Sequence, residues 1–165
     1  MKRVGILLLI VSTLLTACLK KNDLPDEPRL TSARMEFGSE GAIMYLGFTD
    51  GDGNFGLEDG DSTGVFAECI RKWNLYADYY ELENGVWVLS DETDACADPN
   101  NVGFNYRVPW VKPTGQDQTQ EGEIKIEMGS WYLPSDFDTI KFEVRIVDRT
   151  MNESQSLVLG PFTKQ

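Results

Sequence analysis

The chain has 165 residues and a formal net charge of −12 at pH 7, and it contains no histidine. Because a phosphate backbone is bound through clusters of basic residues, this acidic balance excludes nucleic acid as an expected partner. The lack of histidine removes the commonest general base and metal-ligating side chain, and with it every Ser-His or Cys-His catalytic pair.

The first eighteen residues have the pattern of a secretory signal. Two basic residues precede an apolar run, Val4 to Leu15, which is too short to cross about 30 Å of hydrocarbon. The run ends in Leu15-Thr16-Ala17-Cys18, which resembles the lipobox of bacterial lipoproteins. The resemblance implies that a signal peptide, residues 1–17, is removed and that Cys18 is acylated. We therefore expect a protein held to a membrane by its N-terminal lipid.

Residues 18–31 are predicted to form a flexible tether, because their polar and charged composition cannot bury enough surface to fold. Within them, Lys21-Asn22-Asp23 with Asp26-Glu27 resembles the export signal of Bacteroidota surface lipoproteins. That resemblance implies an outer-membrane location facing either the periplasm or the cell surface. One globular domain is expected at residues 32–165.

The hydrophobic pattern of this domain has a period of two, which indicates half-buried β-strands. Ile124, Ile126 and Met128 alternate with charged residues, and the segment 140–146 repeats the pattern. Asn84-Gly85 lies between two such runs and predicts a type I′ hairpin, a turn that needs positive φ at both positions. The predicted strands are residues 33–37, 42–49, 72–83, 86–90, 104–111, 123–128, 139–147 and 156–159.

About eight short antiparallel strands with no amphipathic helix predict an all-β fold, an immunoglobulin-like antiparallel β-sandwich. Three cysteines fit the expected location, since acylation would use Cys18 and leave Cys69 and Cys96 as a pair in an oxidising compartment. We therefore expect a disulfide between Cys69 and Cys96, the alternative being two free thiols.

The sharpest candidate site is the glycine-rich acidic loop Asp50-Gly51-Asp52-Gly53-Asn54-Phe55-Gly56, which follows a predicted strand. Oxygen-bearing side chains at alternate positions, on a backbone that glycines allow to curl, suit Ca²⁺. An EF-hand is not expected, because Phe55 occupies the glycine position of that motif and no helices flank the loop. The alternative is a solvated acidic turn. The candidate calcium ligands are Asp50, Asp52, Asn54, Glu58, Asp59, Asp61, Asp148 and Asn152.

The last two of these candidates belong to a second polar segment, residues 148–154, which is predicted to be a turn between two strands. As a hypothesis, Asp148 and Asn152 lie at the same end of the sandwich as the Asp50 loop and complete its ion site. Removal of Asp50 and Asp52 would then abolish stabilisation by calcium.

Aromatic side chains near predicted loops are candidates for an exposed ligand-binding edge. Trp110 follows Pro109, and Trp131 and Tyr132 follow Gly129. Aromatic residues of this kind could contact a sugar or a peptide, whereas the alternative is that they belong to the core, as tryptophans of β-sandwiches commonly do.

The order of several motifs resembles uncharacterised Bacteroidota lipoproteins with a single immunoglobulin-like β-sandwich domain. In those proteins the last motif usually reads Asp-Arg-Ala-Gly-Asn, where this chain has Asp148-Arg149-Thr150-Met151-Asn152. The resemblance implies a lipidated β-sandwich and no particular activity. The motifs that carry it are Phe48-Thr49-Asp50-Gly51-Asp52-Gly53-Asn54-Phe55-Gly56, Asn74-Leu75-Tyr76, Asn84-Gly85-Val86-Trp87, Phe104-Asn105-Tyr106-Arg107-Val108-Pro109, Glu121-Gly122-Glu123-Ile124, and Val144-Arg145-Ile146-Val147-Asp148-Arg149 with Asn152-Glu153-Ser154.

These features together predict a membrane-anchored, non-enzymatic binding or structural module that calcium stabilises and that contacts another envelope protein or a glycan. The alternative is a carbohydrate-binding accessory lipoprotein, which would need Trp110 and Trp131 exposed on one surface. A glycoside hydrolase with paired carboxylates is the least favoured function, because the acidic residues cluster in a turn and a small domain has little depth for a cleft.

Overall fold

The computed structural model describes residues 24–98, 100–101, 103–114 and 117–164, so the predicted signal peptide and the first part of the predicted tether lie outside the described residues. No helix in these ranges is long and apolar enough to cross a membrane. Three short 3-10 helices cover Gly64–Ala67, Cys69–Lys72 and Asp91–Thr93. The strands are β1 Arg29–Gly38, β2 Gly41–Asp50, β3 Leu75–Glu83, β4 Val86–Leu89, β5 Gln120–Met128, β6 Thr139–Ile146 and β7 Leu157–Thr163.

These strands form two antiparallel sheets, with the orders β1-β2-β5 and β4-β3-β6-β7. The chain changes sheets between β2 and β3, between β4 and β5, and between β5 and β6. In immunoglobulin constant-type domains the fourth strand joins the sheet of the first, second and fifth strands. Here β4 pairs with β3 instead. The structure confirms the predicted all-β sandwich.

The core lies between the sheets and follows from the period-two pattern of the strands. On β6, Ile140, Phe142, Val144 and Ile146 are all fully buried, whereas the charged residues between them are only partly buried. The ring of Tyr79 packs 5.4 Å from that of Phe142. Apolar burial at alternate positions of β2, β3 and β6 therefore holds the two sheets together.

The domain begins earlier than predicted. Strand β1 starts at Arg29, which pairs with Thr49, and Pro28 and Leu30 are buried. Residues 29–31 were assigned to the tether because their composition is polar, but a strand needs only one inward-facing apolar residue here, and Leu30 provides it. The predicted boundary at residue 32 is therefore wrong by three residues.

The predicted strand at residues 104–111 is also wrong, since this segment is extended but belongs to neither sheet as a strand. Tyr106 exchanges two backbone hydrogen bonds with Leu75. Beyond it, the side chain of Asn74 bonds to both the N–H and the carbonyl of Val108, and Pro109 has no N–H to donate. A side chain thus takes the place of a neighbouring strand, and the described part of the chain forms seven strands where the sequence predicts about eight.

Two local predictions are confirmed. Asn84 and Gly85 have φ values of 51° and 85°, as a type I′ turn between β3 and β4 requires. Cys69 and Cys96 form a disulfide with a Cα–Cα distance of 5.7 Å. This bond ties the second 3-10 helix to the turn that follows the third.

Candidate metal centre

The acidic loop and the second polar turn meet at one end of the sandwich. Asp50 is the last residue of β2, in one sheet, and Asp148 lies two residues beyond β6, in the other. Carboxylate oxygens of Asp50, Asp52 and Asp148 all lie within 4.8 Å of one another. The structure therefore brings together residues far apart in the chain, as the hypothesis of a shared site required. We call this end of the sandwich the metal end.

Asp50 is the most unusual member of this group, because its side chain is wholly buried. Its Oδ2 accepts a hydrogen bond of 2.9 Å from the N–H of Phe55, but its Oδ1 accepts none from the described residues. Burial raises the pKa of Asp50 from 3.8 to about 6; the charges of Asp52 and Asp148 add to the rise, and the Phe55 hydrogen bond opposes it. A buried carboxylate oxygen without a partner is costly, and a bound cation would remove this cost.

Asn54 supplies a second oxygen of the same kind. Its Nδ2 donates to Asp52 Oδ2 at 2.6 Å and to Thr150 Oγ1 at 3.3 Å. Its Oδ1 is buried and, within the described part of the chain, has no donor. Burial, followed by the charge of Asp148, raises the pKa of Asp52. The loop therefore offers an amide oxygen beside the carboxylates.

Asp148 is held in place by the turn that it begins. Its Oδ1 accepts the N–H groups of Thr150 and Asn152, each at 2.8 Å, and its Oδ2 accepts Asn152 Nδ2 at 2.8 Å. Met151 within this turn has a φ of 71°. The predicted turn at 148–154 is therefore present at residues 148–152, and the same turn fixes the orientation of the Asp148 carboxylate.

Glycines allow the acidic loop to fit this end of the sandwich. Gly53 has a φ of 70°, and a Cβ there would collide with the carbonyl of Gln118. Gly56 has a φ of 115° and lies against the backbone of Trp110. Both positions require a residue without a side chain, which explains the glycines of this motif physically.

Four of the eight predicted ligands do not belong to the group. Glu58 and Asp59 are exposed and lie outside it. Asp61 is committed elsewhere, because its carboxylate forms an ion pair with Arg149 and accepts the N–H of Glu58 at 2.8 Å. Burial acts to raise the pKa of Asp61, but Glu58 and Arg149 lower it below its ordinary value. Asn152 directs its amide nitrogen at Asp148 and so positions a ligand.

Arg149 and Trp110 support the loop, a role that the sequence did not reveal. The guanidinium of Arg149 lies 4.6 Å from the centre of the Trp110 ring. Trp110 Nε1 donates to the Gly53 carbonyl at 3.0 Å. The only indication in the sequence was that Arg149 directly follows Asp148.

The predicted aromatic edge is not a single surface. Trp131 is only 6% exposed and packs 4.7 Å from the ring of Phe37 and 4.9 Å from that of Tyr132, at the end of the sandwich opposite the metal end. Trp110 is half-buried at the metal end. The expectation that Trp131 is an exposed ligand contact is therefore wrong, because its side chain completes the core beside the β1–β2 turn.

The three carboxylates lie close enough together to bind one hard divalent cation, and Asn54 Oδ1 is a further oxygen in the same loop. Ca²⁺ takes about six to eight oxygen ligands in flexible geometry, so backbone carbonyls or water would complete the shell. Comparison of the chain with protein-family models, curated proteins and solved structures finds no match to any of them.

Proposed function

We propose that this protein is a lipid-anchored envelope lipoprotein that acts as a non-enzymatic binding or structural module, in which Ca²⁺ joins the Asp50 loop to the Asp148 turn. The observation that carries the calcium site is the wholly buried Oδ1 of Asp50, which has no hydrogen-bond donor among the described residues and belongs to a group of three carboxylates. The anchor is the acylated Cys18.

The electrostatics of the group favour a bound cation. Two carboxylates 4.8 Å apart repel each other by about 3 kcal/mol at an effective dielectric constant of about 20. A divalent cation among them would attract all three carboxylates and so offset the repulsion between them. Because Asp50 and Asp148 follow strands of different sheets, the ion would also link the two sheets.

Two features support the envelope location. The sequence before Cys18 has the order of a secretory signal and a lipobox. The Cys69–Cys96 disulfide fits an oxidising compartment, such as the periplasm or the cell surface. We therefore propose an outer-membrane protein whose partner is another envelope component, a protein or a glycan.

The alternative, a carbohydrate-binding accessory lipoprotein, has less support. It required Trp110 and Trp131 on one exposed surface, but Trp131 is buried and the two lie at opposite ends of the sandwich. The acid-pair hydrolase has less support still. The oxygens of Asp148 already accept hydrogen bonds from the backbone and side chains of the turn that contains Asp148, so they are not directed at a substrate.

Calcium-dependent thermal unfolding tests the proposed ion site. At calcium about 100-fold above its Kd, binding stabilises the folded state by about 2.7 kcal/mol, a rise in Tm of about 8 °C for a domain of this size. We expect calorimetry to show this rise for the native chain and not for Asp50→Asn, which keeps the shape of the side chain and removes its charge.

The matched control is Asp59→Asn, which removes an exposed carboxylate just outside the group. It should keep the full calcium-induced rise. An equal Tm for the native chain in calcium and in chelator would contradict the site, as would a loss of the response in the Asp59 variant equal to that in the Asp50 variant.

A further inference from the structure

The described chain enters the domain at the metal end. The carbonyl of Pro25 accepts the N–H of Gly51 at 2.9 Å. Gly51 lies so close to the carbonyls of Leu24 and Pro25 that a Cβ would not fit. Residues 24 and 25 are therefore fixed beside the loop between Asp50 and Asp52.

The length of chain between Cys18 and Leu24 limits where the bilayer can lie. These six residues span at most about 20 Å when fully extended. This step rests on the proposed function, since it requires the lipid on Cys18. With that lipid in the bilayer, Leu24 stays within about 20 Å of the membrane surface.

The opposite end of the sandwich cannot face that membrane when the strands stand upright on it. Strand β2 has 10 residues and so separates the two ends by about 30 Å. If the β1–β2 turn at Ser39 and Glu40 rested on the bilayer, Leu24 would stand about 30 Å above it, farther than the chain from Cys18 can reach. Any contact of the anchored domain with its membrane therefore involves the metal end or a side of the sandwich.

The metal end carries the most exposed of the large apolar side chains in the described residues, Val111, at 77%. Lys112 beside it is also exposed. Their backbone is held firmly, because Trp110 Nε1 donates to Gly53 at 3.0 Å and Gln120 Nε2 donates to the Val111 carbonyl at 2.7 Å. An exposed apolar residue next to a lysine suits the headgroup layer, where the apolar group enters and the ammonium meets phosphate.

Charge at the metal end opposes this contact unless a cation is bound. Carboxylate oxygens of Asp50, Asp52 and Asp148 lie within 4.8 Å of one another, and Asp26 directly follows Pro25, whose carbonyl accepts the Gly51 N–H. Anionic headgroups would be repelled by them within a Debye length. A divalent cation among Asp50, Asp52 and Asp148 cancels most of their negative charge.

We propose that the metal end is a membrane-docking surface: Val111 and Lys112 contact the headgroups of the bilayer that holds the lipid anchor, and the bound cation permits the approach by lowering the negative charge of this end.

Fluorescence quenching in vesicles tests the docking surface. The full acylated chain carries a single environment-sensitive dye, attached at Val111→Cys or at Ser39→Cys, and is reconstituted in vesicles of phosphatidylethanolamine and phosphatidylglycerol. Both positions are exposed, and they lie at opposite ends of the sandwich. With calcium, a spin-labelled headgroup lipid should quench the dye at 111 several-fold more than the dye at 39.

Chelation of calcium should remove most of this difference. Equal quenching at the two positions in calcium would overturn the docking surface, and quenching at 111 that survives chelation would overturn the role of the cation. Shielding of the dye at 111 from aqueous iodide, without quenching by the spin-labelled lipid, would also overturn the proposal, because it would indicate contact with protein.

Mass spectrometry of the same sample separates this inference from the proposed function. Unmodified Cys18 would overturn the lipoprotein assignment and with it the argument from chain length. Acylated Cys18 together with equal quenching at the two positions would overturn the docking surface alone.

Discussion

At the scale of single residues, Met151 stands out because its backbone is left-handed, with a φ of 71°. Side chains with a Cβ disfavour this region, and glycine adopts it freely. Met151 therefore strains the turn whose backbone N–H groups orient the Asp148 carboxylate.

Met151→Gly should relieve this strain and raise the free energy of unfolding by about 1 kcal/mol, after the greater entropy of glycine in the unfolded chain is subtracted. Urea unfolding measures the change. Met151→Ala is the control, since it removes the same side chain beyond Cβ and should give no gain. Equal effects of the two substitutions would mean that the left-handed backbone conformation at this position does not lower the free energy of unfolding.

A second residue-scale feature is the buried carboxylate of Glu81, at the opposite end of the sandwich. Its Oε1 accepts hydrogen bonds from Lys164 Nζ at 2.8 Å, Ser135 Oγ at 2.5 Å and the Tyr79 hydroxyl at 3.0 Å. Burial by itself would raise the pKa of Glu81, but these three donors outweigh it and lower the pKa below the ordinary 4.5. The ionised form is therefore favoured by folding.

This shift has a definite sign in the dependence of stability on pH. A carboxyl whose pKa is lower in the folded state stabilises the protein above its unfolded pKa, and that contribution disappears as the pH falls through the folded value. Glu81→Gln should cost about 1–2 kcal/mol at pH 7, because Lys164 Nζ loses its ionised partner but keeps the Ser135 hydroxyl. The difference from the native chain should shrink below pH 4.5.

Urea unfolding of both chains from neutral pH into the acid range provides the measurement. Glu83→Gln, on the same strand, is the control and should leave the pH profile unchanged. A constant stability difference between the native chain and Glu81→Gln at all pH values would contradict the lowered pKa of Glu81.

At the scale of elements, the side chain of Asn74 contributes two of the hydrogen bonds that hold the segment 104–110. Asn74 is 2% exposed, donates to the Val108 carbonyl at 3.0 Å and accepts the Val108 N–H at 2.6 Å. The Leu57 N–H also reaches the Val108 carbonyl, at 2.9 Å. Asn74 thus joins β3 to the segment that leads to Trp110 and the metal end.

Asn74→Ala should lower the free energy of unfolding by about 2 kcal/mol, because the Val108 N–H loses its acceptor while the carbonyl keeps Leu57. Hydrogen exchange at the Val108 amide should quicken accordingly. In Asn74→Asp, which keeps an acceptor for that amide, the protection should be largely retained. Equal exchange rates in the two variants would show that the acceptor does not hold this segment.

The period-two pattern predicted most elements, because a half-buried strand shows its two faces in the sequence itself. The pattern gave a wrong prediction in two places. In one, a side chain replaced the backbone hydrogen bonds of a neighbouring strand, and in the other, a single apolar residue was enough to anchor the start of a strand. Residues 104–111 alternate like a strand, yet Asn74 occupies part of the place of a neighbour. Arg29 has the composition of a linker, yet it belongs to β1, where it pairs with Thr49 of β2.

At the scale of the whole molecule, one end of the sandwich brings together the entry of the chain, the acidic group and the exposed Val111. The other end carries the two hairpin turns and the buried Trp131. The proposed anchor therefore limits how the domain is oriented at its membrane, because the short link from Cys18 can bring only some faces of the domain to the bilayer.

The anchor itself is tested by Cys18→Ser, which removes the thiol that the lipid would modify. We expect the native chain in the membrane fraction, with a mass that begins at acylated Cys18, and the variant released from that fraction. Thr16→Ser, a conservative change beside the cleavage site, should behave like the native chain. Native protein that retains Met1, or that carries an unmodified thiol at position 18, would contradict the anchor.

The sequence by itself determined most of the strands, the Asn84-Gly85 turn, the cysteine pairing and the acidic loop, because each depends on local backbone preference, alternation or residue count. Only the tertiary structure decided which oxygens meet: closure of the two sheets places Asp148 beside Asp50, while Arg149 draws Asp61 away. The physical reason is that a sequence pattern fixes which face a side chain occupies, whereas contacts between distant loops depend on how the sheets stack.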